Sequence, residues 1–265
     1  MNTALILPSL SLLQRELVRF FRQRNRIIGA LGTPLVFWAL IGAGFSSSFH
    51  PPSMPENMSA VEYLFPGTMT LIILFTSIFS TISIIEDRRE GFLQSVLVAP
   101  ISRGAVVLGK ILGGTTIALL QGILFLLLAP IAGLQLTVSS VSAAIGVIVL
   151  LGFALTGLGF VLAWRMDSTQ GFHAIMNLFL MPMWLLSGAF FPASGVPAWL
   201  HWMMQINPLT YGVAALRRVL YSSGSSAVGD LPSLPYALGI TVLFGLVFFA
   251  LSLWMVGKRK TANPL

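Results

Sequence analysis

The chain has 265 residues, of which 56% are hydrophobic and only 9% are charged, and its mean hydropathy is +0.89. A soluble domain carries about 25% charged residues, so this composition excludes a water-soluble globular protein and indicates that lipid surrounds most of the chain. The net charge of +7 does not predict nucleic-acid binding, because Lys and Arg cluster at the ends of apolar runs, as in membrane proteins. There is no cysteine, which excludes disulfides and thiolate metal sites.

The first predicted element is an amphipathic helix over residues 8–24. Its apolar residues and its arginines each recur every three or four positions, on separate faces. The two sets are Leu10, Leu13, Leu17 and Phe20, and Arg15, Arg19, Arg22 and Arg26. We predict a helix in the membrane interface whose arginines face lipid phosphates or a cytoplasmic partner; a plain lipid anchor is the simpler alternative. Ser11 and Gln14 are spaced for a capping box.

Six uncharged stretches are long enough to cross about 30 Å of hydrocarbon as helices. They are residues 27–45, 63–85, 111–133, 140–163, 172–191 and 234–257. With the N-terminus inside, thirteen of the fifteen Lys and Arg residues are cytoplasmic, and only Arg217 and Arg218 are outside. The positive-inside rule therefore predicts a single all-α membrane domain, residues 1–265, with six transmembrane helices and both termini cytoplasmic.

Residues 192–216 are apolar but interrupted by proline and glycine. The interrupting residues are Pro192, Gly195, Pro197, Pro208 and Gly212. Irregular backbone is tolerated at membrane depth where protein surrounds it, so we predict a re-entrant helical hairpin after the fifth span. A loop lying on the bilayer surface is the alternative.

The longest cytoplasmic connection is residues 86–110, EDRREGFLQSVLVAPISRGAVVLGK. Charges at its start are followed by a short amphipathic segment, residues 92–98. Pro100 stops this segment, because the residue before a proline leaves the helical region, and we expect the helix to end near Val98. Such a helix suits a groove on another protein, although it could also rest on lipid headgroups.

Gly104, Gly109 and Lys110 reproduce the Gly-x4-Gly-Lys frame of a phosphate-binding loop. That motif continues with Ser or Thr, whose hydroxyl holds Mg²⁺, but Ile111 stands here. No turn-forming residue lies between the two glycines, and no buried strand precedes them. We therefore predict no nucleotide site. Instead, this stretch begins a helix that enters the third span, with Lys110 extending to the membrane interface.

Polar residues within spans are costly and often functional. Thr76 and Ser80 of the second span and Asn177 and Phe179 of the fifth are candidates for a substrate path. Hydroxyl groups also bond to carbonyls of their own helix, so packing is the alternative for the first two. Asn177 is a candidate for facing the path or a dimer interface, with ordinary helix packing as the alternative. No set of His, Asp and Glu has metal-ligand spacing, and no catalytic constellation is present.

Two stretches resemble the ABC type-2 exporter permeases, the branch with nodulation-factor, daunorubicin and polysaccharide exporters. One is the loop of residues 86–110. The other is LSGAFFPASGVPAWLHWMMQINPLTYGVAALRRVL, residues 186–220, which contains Asn207-Pro208-Leu209-Thr210-Tyr211. The likeness covers essentially the whole chain in order.

The resemblance implies a bacterial inner-membrane permease that pairs as a homodimer and docks two copies of a separate ABC ATPase. ATP and Mg²⁺ would bind to that partner, so this chain would be neither an enzyme nor the holder of a cofactor. The coupling residues implied are Glu86, Arg88, Arg89, Glu90, Phe92, Leu93, Ala99, Pro100 and Arg103. The interfacial helix, with Arg15, Arg19 and Arg22, would pack beside them. The outer gate implied is Pro192, Pro197, Asn207, Pro208 and Tyr211.

The function predicted is therefore ATP-driven export of an amphipathic, lipid-linked or drug-like molecule. The alternative is an ion-coupled secondary transporter of a hydrophobic solute. That class is marked by an intramembrane carboxylate or an inverted repeat, and neither is evident in the sequence.

Overall fold

The computed structural model describes residues 3–44, 58–190, 196–221, 228 and 231–258, and within these ranges the regular structure is α-helical. The first six helices are α1 (Thr3–Arg22), α2 (Arg24–Gly44), α3 (Ala60–Ser80), α4 (Ile82–Arg89), α5 (Phe92–Val98) and α6 (Arg103–Leu126). They are followed by α7 (Val138–Arg165), α8 (Thr169–Leu185), α9 (Ala198–Ile206), α10 (Pro208–Leu220) and α11 (Leu234–Lys258).

Four helical stretches of the described residues are long and apolar enough to cross a membrane: Ala60–Arg89, which joins α3 and α4, and the helices α6, α7 and α11. The first and fifth predicted spans are also helical, as α2 and α8. α8 has only 17 residues, which extend about 25 Å at 1.5 Å per residue. That is less than the hydrocarbon thickness of about 30 Å, so six crossings remain a prediction.

The end predicted for the third span, residue 133, is wrong by about two turns, whereas the helix start predicted near Gly104 agrees with the start of α6. α6 begins at Arg103, capped by the Ser102 side chain, which accepts from the Ala105 N–H. It ends at Leu126, and residues 127–133 form turns. Pro130 has no N–H to continue the helix, and Gly133 has a φ of 98°, which favours glycine.

Two other predicted spans are interrupted. The helix predicted over 63–85 is interrupted at Thr81, whose backbone N–H donates a hydrogen bond to the carbonyl of Ile78, three residues earlier. The helix predicted over 172–191 ends at Leu185. There the Ser187 hydroxyl bonds to the Trp184 carbonyl, and Gly188 adopts a φ of 77°. Local hydroxyl bonds of this kind compete with the helical ladder.

α3 is the central helix of the bundle and contacts α2, α6, α7, α8 and α10. Most of its residues are buried. Phe65 of α3 stacks on Phe125 of α6 at 4.5 Å, and Trp38 of α2 meets both rings edge-on. Aromatic contacts of this kind add to the hydrophobic burial, so α2 and α6 are fixed to the centre of the bundle.

The N-terminal helix starts earlier than the predicted residue 8 and lies along α6. Ser11 is in its interior and donates to the Leu7 carbonyl, so the capping box predicted from Ser11 and Gln14 is wrong. Its buried face carries Ser9, Leu12, Glu16 and Phe20, whereas Leu10 is exposed. α1 is therefore a packed part of the bundle as well as an amphipathic helix.

The segment predicted as a re-entrant hairpin contains two helices, α9 and α10, which meet at Asn207 and Pro208. Asn207 caps α10, and Pro208 occupies its first position, where a missing N–H costs nothing. α10 extends to Leu220, four residues beyond the predicted limit. Pro192 lies outside the described residues.

Candidate functional site: a braced elbow and an adjoining cavity

Residues 82–102, which we call the elbow, comprise α4, α5 and the connection to α6. Gly91 separates α4 from α5 with a φ of 77°, a conformation that favours glycine. α5 ends at Val98, as predicted from Pro100. The chain therefore turns sharply twice around a seven-residue helix, which lies at one end of the bundle.

Arg15 joins the N-terminal helix α1 to both α4 and α5. Its guanidinium donates two hydrogen bonds to Asp87, at 2.9 Å and 2.7 Å, and lies 3.7 Å above the ring centroid of Phe92. Bidentate pairs of this type are strong and directional. Burial would lower the pKa of Arg15, but the hydrogen bond and charge of Asp87 raise it above its ordinary value, so the guanidinium stays charged.

Arg19, one turn further along α1, contacts three carboxylates of the elbow. It donates to Asp87 at 2.7 Å and lies 2.9 Å from Glu86 and 3.5 Å from Glu90. Arg22 is exposed. Arg15 and Arg19 therefore bind the elbow of their own chain, beside which the resemblance placed this helix, and not lipid phosphates or a separate partner.

Lys110, Asp87 and Glu16 form a buried charge cluster between α6, α4 and α1. The Lys110 ammonium donates to Glu16 at 2.5 Å, to Ser83 at 3.2 Å and to Asp87. The side chain of Lys110 is 4% exposed and that of Asp87 is fully buried. The prediction that Lys110 extends to the membrane interface is therefore wrong, because two buried carboxylates hold its charge inside the protein.

Gly109 allows α1 to approach α6 closely. A Cβ atom on Gly109 would lie 2.7 Å from the Leu12 Cβ and 2.8 Å from the Ser9 carbonyl oxygen. Gly113, one turn later, is tight against the Glu16 side chain, giving a pair of small residues four apart. Gly104, Gly109 and Lys110 all lie on α6, so the phosphate-loop frame is helical and serves packing.

Two arginines of the elbow region cap other helices of the chain. Arg88 donates to the carbonyl oxygens of Trp164 and Met166, at 2.6 Å and 3.2 Å, and to Asp167. Arg103 donates to the carbonyl oxygens of Val256 and Gly257, at 3.0 Å and 2.6 Å. These carbonyls belong to the C-terminal ends of α7 and α11, which arginine stabilises.

The predicted coupling residues thus divide by exposure. Arg88, Leu93 and Arg103 are engaged with the bundle, and Phe92 and Glu86 contact arginines of α1. The exposed members are Arg89, Glu90, Ala99 and Pro100, beside Gln94, Ser95 and Val98, residues that the prediction did not single out. Val98 is 87% exposed. The exposed surface of α5 is therefore mostly polar, and Val98 is its one strongly exposed apolar residue.

A cavity of about 690 Å³ lies between α2, α3 and α8, beside the elbow. Its lining is mostly apolar and includes Phe37, Phe75, Phe79, Met181 and Trp184. Such a volume and lining match sites for small hydrophobic or amphipathic ligands.

Three of the four predicted path residues, Thr76, Ser80 and Asn177, line this cavity, and Phe179 does not. Thr76 donates to Gln121 of α6, and Ser80 donates to the Ser77 carbonyl, so helix packing already uses both hydroxyls. Asn177 is exposed on α8, next to His173 on the same face. Phe179 is 68% exposed on another face of α8.

Trp184, in the last turn of α8, lines the cavity. Its indole N–H donates to the Gly67 carbonyl at 2.7 Å, and its ring meets Phe37 edge-on. A Cβ on Gly67 would lie 2.5 Å from the Ala189 carbonyl oxygen, so α3 and the segment that follows α8 are in close contact here.

Two of the residues predicted for the outer gate, Asn207 and Tyr211, connect α8, α9 and α10. Asn207 donates to the Met183 carbonyl at 2.6 Å, and its side-chain oxygen accepts from the Leu209 N–H. Tyr211 donates to the Gln205 carbonyl at 2.8 Å. Pro197 precedes α9 and is exposed. In the described ranges no group of three or more His, Cys, Asp or Glu residues is arranged to hold a metal ion.

The apolar bundle, with four stretches of the described residues long and apolar enough to cross a membrane, indicates a multi-pass membrane protein. The profile of the ABC-2 type transporter family matches residues 9–221. The chain therefore belongs to the ABC-2 type transporter family and is a membrane permease subunit.

Two of the named relatives are matched over most of their own length and a third over less than half. Cyanophora paradoxa ycf38, named as a transport permease, is 27% identical over 91% of this chain and 86% of its own. Nodulation protein J of Sinorhizobium fredii is 28% identical, over 88% of this chain and 86% of its own. YbhR of Escherichia coli, named as a multidrug ABC transporter permease, is 23% identical over 64% of this chain and 46% of its own.

Proposed function

We propose that this chain is the membrane half of an ATP-driven exporter, working as a homodimer with two copies of a separate ABC ATPase. It has six spans, with both termini and the elbow on the cytoplasmic side of a bacterial inner membrane. The ATPase binds ATP and Mg²⁺, and this chain supplies the path and the docking surface.

The proposal rests on the structure of the elbow. α5 is held from behind by Arg15 and by buried Leu93, while its outer surface is free of contacts with the described bundle at Gln94 and Val98. A short helix that is rigidly mounted and presents a free face can fill a groove on a partner and transmit its displacement.

The cargo we propose is amphipathic, drug-like or lipid-linked, and it occupies the cavity between α2, α3 and α8. That lining is rich in aromatic rings, and Asn177 adds a polar group. The similarity to a relative named as a multidrug permease is compatible with such cargo. On α8, Asn177 lies where it can face either the path or a second copy of the chain.

The docking surface can be tested with a matched pair of variants. Val98→Asp places a charge on the most exposed apolar residue of α5, and we expect it to reduce co-purification of the ABC ATPase about tenfold or more, because a few buried apolar contacts dominate interfaces. Val138→Asp is the control: Val138 is 88% exposed, like Val98 at 87%, but lies at the start of α7, outside the elbow.

Equal loss of the ATPase in both variants, or in neither, would contradict the docking assignment. A second measurement addresses the whole proposal. The dimer reconstituted with its ATPase should hydrolyse ATP, and vanadate should inhibit that hydrolysis. Purified protein that recruits no ABC ATPase from co-expressed candidates would refute it.

A further inference from the structure

The helices on either side of α5, α4 and α6, are called here the two arms of the elbow. The chain between them can bend at two places. Gly91 links α4 to α5 in a left-handed conformation, and the extended residues 99–102 link α5 to α6. Turns are the points where backbone dihedrals absorb movement. A displacement applied to α5 therefore moves α4 and α6 together only if something holds the separation of these two helices fixed.

Lys110 makes the direct link between the two arms. It lies two turns into α6, and its ammonium group reaches Asp87 in the last turn of α4, with Ser83 of the same helix at 3.2 Å. Its third partner, Glu16, belongs to α1 and is 2.5 Å away. One side chain thus connects three helices immediately behind the bend.

Burial of this cluster is not explained by stability alone. Buried ion pairs are often no more stabilising than apolar side chains of similar volume, because desolvation offsets the attraction. The surrounding packing of α1 on α6 at Gly109 and Gly113 is already close. The Lys110 cluster is instead suited to fixing the relative position of the helices that it joins, since hydrogen bonds set the length and direction of each contact.

We propose that Lys110 is a positioning residue that braces the elbow, so that a displacement of α5 moves α4, α6 and α1 as one body. This inference rests on the proposed function for its role in transport, but the brace itself can be measured without the ATPase. Without the brace, bending at Gly91 and at residues 99–102 absorbs the displacement, and ATP hydrolysis continues without movement of the bundle.

The first experiment measures the brace in the full chain alone. Because the chain has no cysteine, spin labels at Arg89→Cys on α4 and Leu108→Cys on α6 report the separation of the arms by double electron–electron resonance. We expect a narrow distance distribution with Lys110 and with Lys110→Arg. In Lys110→Met the distribution should be roughly twofold wider or split, because two arrangements become populated.

A double variant separates bracing from folding. Lys110→Met alone leaves Glu16 without its closest partner, which destabilises a buried site. Lys110→Met/Glu16→Met removes both charges, so it should recover thermal stability while keeping the broad distance distribution. If the distribution narrows when stability recovers, the cluster is only structural and the proposal is overturned.

The second experiment measures transmission in the complex with the ATPase. Asn177→Cys lies in the cavity, and its rate of maleimide labelling is compared between the nucleotide-free and the vanadate-trapped states. We expect roughly a threefold change with Lys110 and with Lys110→Arg, and no change with Lys110→Met, although that complex still hydrolyses ATP.

The outcomes are distinguishable. If the parent complex shows neither ATP hydrolysis nor a change in labelling, the proposed function fails, and the distance measurement still decides whether Lys110 is a brace. If Lys110→Met keeps the parent's narrow distribution or its labelling change, the brace is refuted. Loss of both with Lys110→Arg would refute the role assigned to the positive charge.

Discussion

Replacing Gly109 by Ala should detach α1 from α6, because the new methyl group has no room. Its Cβ would lie 2.7 Å from the Leu12 Cβ and 2.8 Å from the Ser9 carbonyl oxygen, and the second of these is backbone that cannot rotate away. Ordinary contacts of a Cβ begin near 3.4 Å, so α1 must move by roughly 0.6–0.7 Å, an overpacking that costs about 1–3 kcal/mol.

The substitution also stabilises the helix, and this gain must be cancelled by a control variant. Alanine is a better helix former than glycine by about 1 kcal/mol. Gly146→Ala in α7 is the matched control, since a Cβ there meets nothing within 4 Å. The two variants share the gain in helix propensity, so we expect them to differ by the overpacking cost of about 1–3 kcal/mol.

Two assays report this difference. For a chain of this size, it corresponds to a gap in Tm of roughly 2–12 °C between the two variants. Trypsin should also cleave after Arg15 and Arg19 faster in Gly109→Ala, because displacement of α1 loosens the contacts of both residues with Asp87. If Gly109→Ala is as stable as Gly146→Ala and is cleaved no faster, α1 does not pack on α6 as described.

Three further predictions concern the elbow, the cavity and the orientation. Arg88→Ala should destabilise the chain by about 1–3 kcal/mol, since carbonyls of α7 lose a charged donor, whereas the exposed Arg89→Ala should change Tm little. Trp184→Phe should cost about 0.5–1.5 kcal/mol by removing the bond to the Gly67 carbonyl, and equal Tm values would contradict that. Gln94→Cys should react with impermeant maleimide in inside-out but not right-side-out vesicles; the reverse would refute the orientation.

Sequence patterns were sufficient for the elements whose signals are local. Pro100 places the end of α5 correctly, and the apolar stretches 140–163 and 234–257 agree with α7 and α11 to within two residues. The wrong helix boundaries lie at residues that end or interrupt a helix without lowering the mean hydropathy of the stretch. Pro130 and Gly133 are apolar or neutral, so they extend a hydropathy run while ending a helix, and Thr81 breaks the second span by a backbone turn.

The buried cluster was missed because its members are far apart in the chain. Glu16 and Lys110 are separated by 94 residues, and each one alone suggests an exposed charge. A signal was nevertheless present. Glu16 falls four residues from both Leu12 and Phe20, on the face that is buried, and Lys110 directly follows a run of apolar residues that enters a span. A charge within the apolar stripe of two segments predicts that they pair with each other.

The phosphate-loop frame of residues 104–110 has a physical explanation that involves no nucleotide. The glycine at position 109 is needed because the backbone of α1 passes within contact distance, and the lysine at 110 is needed because two carboxylates meet there. In a nucleotide site, glycine admits a phosphate and lysine neutralises it. Here Gly109 admits the Ser9 carbonyl of α1, and Lys110 neutralises the carboxylates of Glu16 and Asp87. Glycine and lysine therefore have the same physical roles as in a nucleotide site, but on a helix that packs against another helix.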